Sequence, residues 1–135
     1  MADVRAAGLA GSVRLLGRLP DEHMQALYSG ALCFAYPSRY EGFGLQVCEA
    51  MAVGCPTLAA RATALPEILG DGGETFSLRD PAELASLLRR VAQEPAFRQE
   101  LAGRARARSK TFSCRQSGEK TLAVYRELAA TREAS

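Results

Sequence analysis

The chain has 135 residues, 47% hydrophobic and 24% charged, with a formal net charge of +2. That is enough apolar material for one core and too little chain for two typical domains, so one domain over 1–135 is expected. No run of about eighteen apolar residues exists, and Met1-Ala2-Asp3-Val4-Arg5 lacks the charged-then-apolar order of a signal peptide, so neither membrane spanning nor export is expected and the cytoplasm is the expected compartment.

In chain order, the first predicted strand covers 13–17 and turns at Arg18-Leu19-Pro20. A helix follows over 21–31, with Asp21 as its cap and Met24, Leu27, Tyr28 and Ala31 on one face. Cys33-Phe34-Ala35-Tyr36, within a predicted strand over 32–37, is too short for a helix and ends at the turn residues Pro37-Ser38. The next helix is predicted over 44–53 and stops at Gly54-Cys55-Pro56. Strands over 56–60 and 74–78 and helices over 64–70, 81–93, 95–108 and 115–130 complete the pattern. Asp80-Pro81 reads as cap and first helical position, before a stripe of Leu84, Leu87, Leu88 and Val91. Alternation of this kind implies an α/β fold with a parallel sheet covered by helices. There is no internal repeat and no low-complexity linker.

The segment from Pro37 to Pro56 carries the densest chemistry. Glu41 and Glu49 stand eight positions apart across a strand end, a glycine turn and a helix start. Gly42 and Gly44 permit positive φ, so the amides around Phe43, Gly44 and Leu45 are expected to point outward, where a helix start attracts anions and phosphates above all. Glu41 precedes the first turn and Glu49 lies inside the helix. The two acids need not share a helix face, yet both can border one crevice, where one could meet a reacting group and the other hold a pair of sugar hydroxyls. Without the surrounding motif, two acids at this spacing read mostly as solvated surface.

These residues resemble the family 4 (group 1) glycosyltransferases of the GT-B type, whose donor-binding domain carries an acid, seven residues and a second acid around E-G-F-G-L and E-A-M-A. The likeness extends to Val13 through Pro20, to Leu65-Pro66-Glu67-Ile68-Leu69-Gly70-Asp71, to Asp80-Pro81, and to Phe112-Ser113 with Tyr125, and so covers about 8–128. Cys114 departs from it, where relatives commonly carry tryptophan.

The resemblance implies a Rossmann-like parallel sheet flanked by helices, the nucleotide-sugar-binding half of a GT-B fold, lacking its first strands. It implies that Glu41, the catalytic candidate, faces the hexose in a positioning and electrostatic role, that Glu49 accepts from the ribose hydroxyls, and that Gly42, Phe43, Gly44 and Leu45 offer amides to the diphosphate. Gly17 and Arg18, with Leu16, would border the nucleobase. The implied reaction moves a sugar from a nucleotide-diphosphate donor to an acceptor hydroxyl with retention, with no metal and no cofactor. The two-carboxylate scheme of retaining glycosidases is not transferred to Glu41 and Glu49, because the second acid's implied partner is ribose.

Family members place an acceptor domain first, and the opening strands of their donor domain carry a basic pair that neutralises the diphosphate. Neither is recognisable here, so the chain is expected to be a partial C-terminal domain that is inactive alone. A helix terminus contributes about 0.3–1 kcal/mol when exposed and up to about 2 when partly buried, whereas one missing preorganised donor costs roughly 3–4 kcal/mol of barrier. The expected partners are the nucleotide-sugar, an N-terminal acceptor domain or another partner covering an exposed sheet edge, and a second copy of the chain. A non-catalytic nucleotide-binding or protein-interaction module is the alternative. A dinucleotide-dependent oxidoreductase is set aside, because no G-x-G-x-x-G stands near the amino end.

The remaining reactive residues have plainer readings. Cys33, Cys48, Cys55 and Cys114 form no C-x-x-C pair and have one histidine, His23, for company, so buried reduced thiols are expected rather than zinc ligands. His23 reads as a surface residue. Glu67 is open between capping the following helix and lining the donor pocket. Arg98, Arg104, Arg106, Arg108 and Lys110 read as a solvated helix face, with contact at the inner face of a membrane as the other option; few aromatics accompany them, and no nucleic-acid partner is expected.

Overall fold

Strands β1 (Phe34–Tyr36), β2 (Thr57–Ala60) and β3 (Glu74–Phe76) form one parallel sheet in the order β1-β2-β3. This is a computed structural model, and it describes residues 2–133. Phe34 pairs with Thr57 and Leu58 with Glu74, so β2 is central, and all four of its residues are buried. A strand covered on both faces has no need of polar alternation, which is why Thr57-Leu58-Ala59-Ala60 reads as a continuous small and apolar run. The Thr57 hydroxyl is satisfied by donating to the Cys55 carbonyl at 2.9 Å.

Helices α1 (Ala2–Ala6), α2 (Asp21–Gly30), α3 (Leu45–Ala52), α4 (Leu65–Leu69), α5 (Pro81–Gln93), α6 (Pro95–Ser109) and α7 (Cys114–Glu133) surround or extend from this sheet. The core joins Val47 and Met51 of α3, Leu58 of β2, Leu65 and Leu69 of α4, Phe76 of β3 and Leu101 and Ala105 of α6. The expected α/β architecture and the order of its elements from residue 21 onward are present.

Residues 13–17, read as a strand from sequence, form none. The Val13 amide instead donates to the Leu9 carbonyl, and Leu15 and Leu16 are 72% and 52% exposed. A strand is stable only when a neighbour accepts its hydrogen bonds, and β1 and β2 pair with each other without reaching this segment. Asp21 is likewise not a cap. Pro20 takes the cap position and Asp21 opens the helix without a capping bond. On α2 only Tyr28 is buried and Met24 half-buried, while Leu27 is exposed and Ala31 follows the helix end.

The other helix signals act as expected. Asp80 accepts from the Ala82 amide at 3.0 Å, with Pro81 behind it. At the end of α3, Gly54 sits at φ 75°, its amide donates to Met51 and the Cys55 amide to Ala50, a double bond pattern that satisfies the last carbonyls.

Three arginines of α6 tie the layers together. Arg104 donates to the carbonyls of Asp71 and Gly73 and to Glu74, Arg106 to the carbonyl of Val53, and Arg108 to those of Glu67 and Ile68. The segment expected to be a solvated basic face thus lays three guanidiniums against the ends of neighbouring elements, where carbonyl dipoles favour a cation, although Arg106 stays exposed. Among the described residues, no helix is long and apolar enough to cross a membrane.

Candidate functional site

The carboxyl end of β1, the turn after it, the start of α3 and the loop after β2 meet at one corner. Gly44 caps α3 in the left-handed region at φ 94° and ψ 57°. A Cβ there would come within 2.8 Å of the Leu65 side chain, which is fully buried, so the position requires glycine on two grounds. Gly42, expected to share this property, does not take a positive φ. Once Gly44 has turned the chain, the first helical positions leave amides without partners: among the described residues none of the Phe43, Gly44 or Leu45 N–H groups meets an acceptor. Such amides, with the helix dipole behind them, attract an anion.

Glu41 stands immediately before this turn and is held from three sides. Its Oε1 accepts from the Tyr36 hydroxyl at 2.6 Å and from the Ser38 hydroxyl at 2.8 Å, and its backbone N–H donates to the Thr63 hydroxyl at 3.0 Å. The Gln46 side-chain oxygen lies 3.4 Å from the Tyr36 hydroxyl. Tyr36 first, then Ser38, holds the Glu41 carboxyl below the usual carboxylate range, and the same bond, with burial, pushes Tyr36 up to about 12. Thr63 has φ 47°, the one positive value at a non-glycine position among the described residues. Such a conformation is rare for a β-branched side chain.

Glu49 lies on α3 and faces a cleft of about 300 Å³ between α2 and α3, lined also by Asp21, Met24, Gln25 and Tyr28. The Tyr28 hydroxyl is buried beside Glu49 without a well-formed hydrogen bond among the described residues; burial first and the Glu49 charge second raise its pKa. Glu41 is not among the residues lining this cleft. It precedes the first turn of α3, while Glu49 sits on the side of that helix facing α2.

Phe43 is exposed and meets Phe112 edge to face at 5.9 Å, linking the turn to the start of α7. Leu45 is exposed. Gly17, at φ 65°, and Arg18 lie exposed in the irregular segment before α2, outside the α2–α3 cleft. Leu16 lines a separate apolar hollow with Leu19, His23, Ala26 and Leu27. Glu67 is exposed in the first turn of α4 and caps nothing with its side chain.

Cys55 is buried and its thiol is pushed up to about 11 by burial, Cys33 and Cys48 are half-buried, and Cys114 is exposed, against the expectation that all four are buried. Among the described residues no three His, Cys, Asp or Glu side chains gather around a point that would hold a metal.

The model of the family described as glycosyl transferases group 1 matches residues 2–108. The chain belongs to that family. Among group 1 relatives, O-antigen chain mannosyltransferase B of Escherichia coli is 36% identical over 118 residues, 87% of this chain and 31% of that protein. MMP alpha-(1->4)-mannosyltransferase of Mycolicibacterium hassiacum is 39% identical over 122 residues, 87% of this chain and 30% of that protein. The chain thus spans about a third of the length of the curated group 1 relatives it matches.

Solved structures agree with this placement. Sucrose-phosphate synthase of Thermosynechococcus elongatus superposes with a TM-score of 0.87 at 28% identity, covering 96% of this chain and 33% of that one. HepE of Anabaena, solved with UDP and glucose, shares the fold with a TM-score of 0.76 at 24% identity, over 99% of this chain and 35% of its own. Tyr36 and Thr63 were missed by sequence reasoning. Tyr36 read as a strand residue, and Thr63 stands 22 positions from Glu41 with no motif of its own.

Proposed function

We propose that residues 1–135 form a single partial domain, the nucleotide-sugar donor-binding part of a retaining glycosyltransferase that moves a hexosyl group from a nucleotide-diphosphate donor to an acceptor hydroxyl without a metal. Glu41 faces the hexose, the amides of Gly42, Phe43, Gly44 and Leu45 hold the diphosphate, Glu49 accepts from the ribose hydroxyls, and Gly17 and Arg18 border the base. The observation that carries this reading is the row of unpartnered amides at the Gly44-capped start of α3, directly beside the oriented carboxylate of Glu41.

The mannosyltransferase names of the relatives and the UDP and glucose held by HepE support a nucleotide-activated hexose as the donor class. The relatives' greater length supports the further reading that acceptor binding and charge neutralisation on the leaving diphosphate come from outside this segment, so that residues 1–135 bind donor nucleotide and do not turn over alone. Among the described residues β1 and β3 each have an unpaired outer edge, and such an edge is then the side on which the rest of such an enzyme, or a second copy, pairs.

Calorimetric titration of the purified chain with UDP, GDP and ADP, alongside Glu49→Ala, tests the reading. Saturable binding of one nucleotide, weakened by about 1–3 kcal/mol in the variant, is expected when hydrogen bonds to a charged acceptor are lost. Binding of none of the three would overturn it in favour of a non-catalytic interaction module.

A further inference from the structure

We propose that Tyr36 and Ser38 are positioning residues for Glu41, fixing one of its carboxylate oxygens so that the other is presented to a hydroxyl of the donor sugar. The proposal rests on the reading of Glu41 given above and adds to it the groups that aim the side chain.

Both hydroxyls converge on the same oxygen, Tyr36 at 2.6 Å and Ser38 at 2.8 Å, while Oε2 accepts no hydrogen bond among the described residues. An unrestrained glutamate at a surface turn rotates about three side-chain bonds, and ordering it costs conformational entropy. Two donors from different backbone positions, meeting at one oxygen, limit that rotation and define where the second oxygen points. The Thr63 hydroxyl fixes the backbone of the same residue.

Tyr36 is itself held. Its ring stacks on Phe34 with centroids 5.5 Å apart, and Phe34 meets the buried Tyr28 edge to face at 5.2 Å. The aromatic row therefore runs from the core to the carboxylate, and the Tyr36 hydroxyl is delivered at the carboxyl end of β1, where ligands meet open parallel sheets. The electrostatics agree with the geometry: at neutral pH Tyr36 is a donor and Glu41 is ionised, so Oε2 is a pure acceptor. The chemistry that fits it is an O–H or N–H donor, and a sugar hydroxyl is such a group.

A purely structural role, closing the turn from Pro37 to Glu41, would affect every ligand of the corner alike. The test therefore compares nucleotide with nucleotide-sugar. The affinities of the full chain for UDP and UDP-glucose, GDP and GDP-mannose, and ADP and ADP-glucose are measured by calorimetry for the wild type, Tyr36→Phe, Ser38→Ala and Ser38→Thr, and the Glu41 carboxyl is titrated by carbon NMR in each.

For the pair that binds, Tyr36→Phe and Ser38→Ala are expected to weaken the nucleotide-sugar by about tenfold, the loss of one charge-assisted bond, and to leave the nucleoside diphosphate within about twofold. The Glu41 pKa should rise in both, and Ser38→Thr, which keeps a hydroxyl, should restore sugar binding. Equal weakening of nucleotide and nucleotide-sugar, or no change in either, would overturn the proposal. Absence of binding by the wild type would overturn the donor reading and the sugar role with it, while the NMR titration would still show separately whether the two hydroxyls hold the carboxylate.

Discussion

Thr63 accepts the backbone N–H of Glu41 at 3.0 Å from a left-handed conformation at φ 47°. The loop after β2 is thus bound to the turn after β1, and the conformational cost at Thr63 is borne where it fixes the acid. Strain of this kind is of order 1–3 kcal/mol and persists only when the surroundings determine it.

That relationship separates two substitutions. Thr63→Ala keeps the unfavourable φ and loses the hydroxyl, whereas Thr63→Gly loses the hydroxyl and relieves the backbone. Thr63→Gly should therefore be more stable than Thr63→Ala by about 1 kcal/mol in urea unfolding. Equal stability of the two would show that the left-handed conformation costs nothing here.

Gly44→Ala should destabilise the chain by about 1–3 kcal/mol, since φ 94° disfavours any side chain and the new methyl meets Leu65. Gly42→Ala, at a position with open space around it and no positive φ, should cost less than about 0.5 kcal/mol. Thermal melts of the two variants side by side check this contrast.

The pair of Tyr36 and Glu41 predicts a pH dependence at both ends. Tyr36 holds its proton in the folded chain up to about 12 against an ordinary 10.0, so its contribution is complete below 10.0 and lost as pH rises toward 12. Glu41 is depressed, so its contribution is present above the ordinary carboxyl range and lost as pH falls through the folded value. Tyr36→Phe should flatten both limbs of a plot of unfolding free energy against pH. An unchanged alkaline limb would refute the assignment.

Arg104 reaches the carbonyls of Asp71 and Gly73 at 2.6 and 2.8 Å and Glu74 at 3.0 Å with one planar group. A lysine ammonium cannot serve three such directions at once. Arg104→Lys should lower stability by about 1–3 kcal/mol, close to Arg104→Ala, whereas truncating the exposed Arg115 should change it by less than about 0.5 kcal/mol. Denaturant midpoints distinguish these outcomes.

Most of the helices and three of the four expected strands could be read from sequence because their signals are local. Asp80-Pro81 caps α5 through its own next residues, and Gly54 ends α3 within one turn. The fourth strand shows why such reading stops. Val13-Arg14-Leu15-Leu16-Gly17 has strand composition, but pairing is a property of two segments, and among the described residues no strand pairs with it.

The candidate site divides in the same way. The family is legible in the amino-acid sequence, residues 2–108 of which match the group 1 model, and the stop at Gly54 is legible because it acts within one turn of α3. The tertiary structure alone decided that Glu49 faces the cleft between α2 and α3, that Tyr36, Ser38 and Thr63 converge on Glu41, and that Arg104 and Arg108 of α6 meet carbonyls of the loop and helix beside them. Those relations depend on which way a strand end, a helix and a distant loop point once the core has closed, and no local propensity encodes a direction in space.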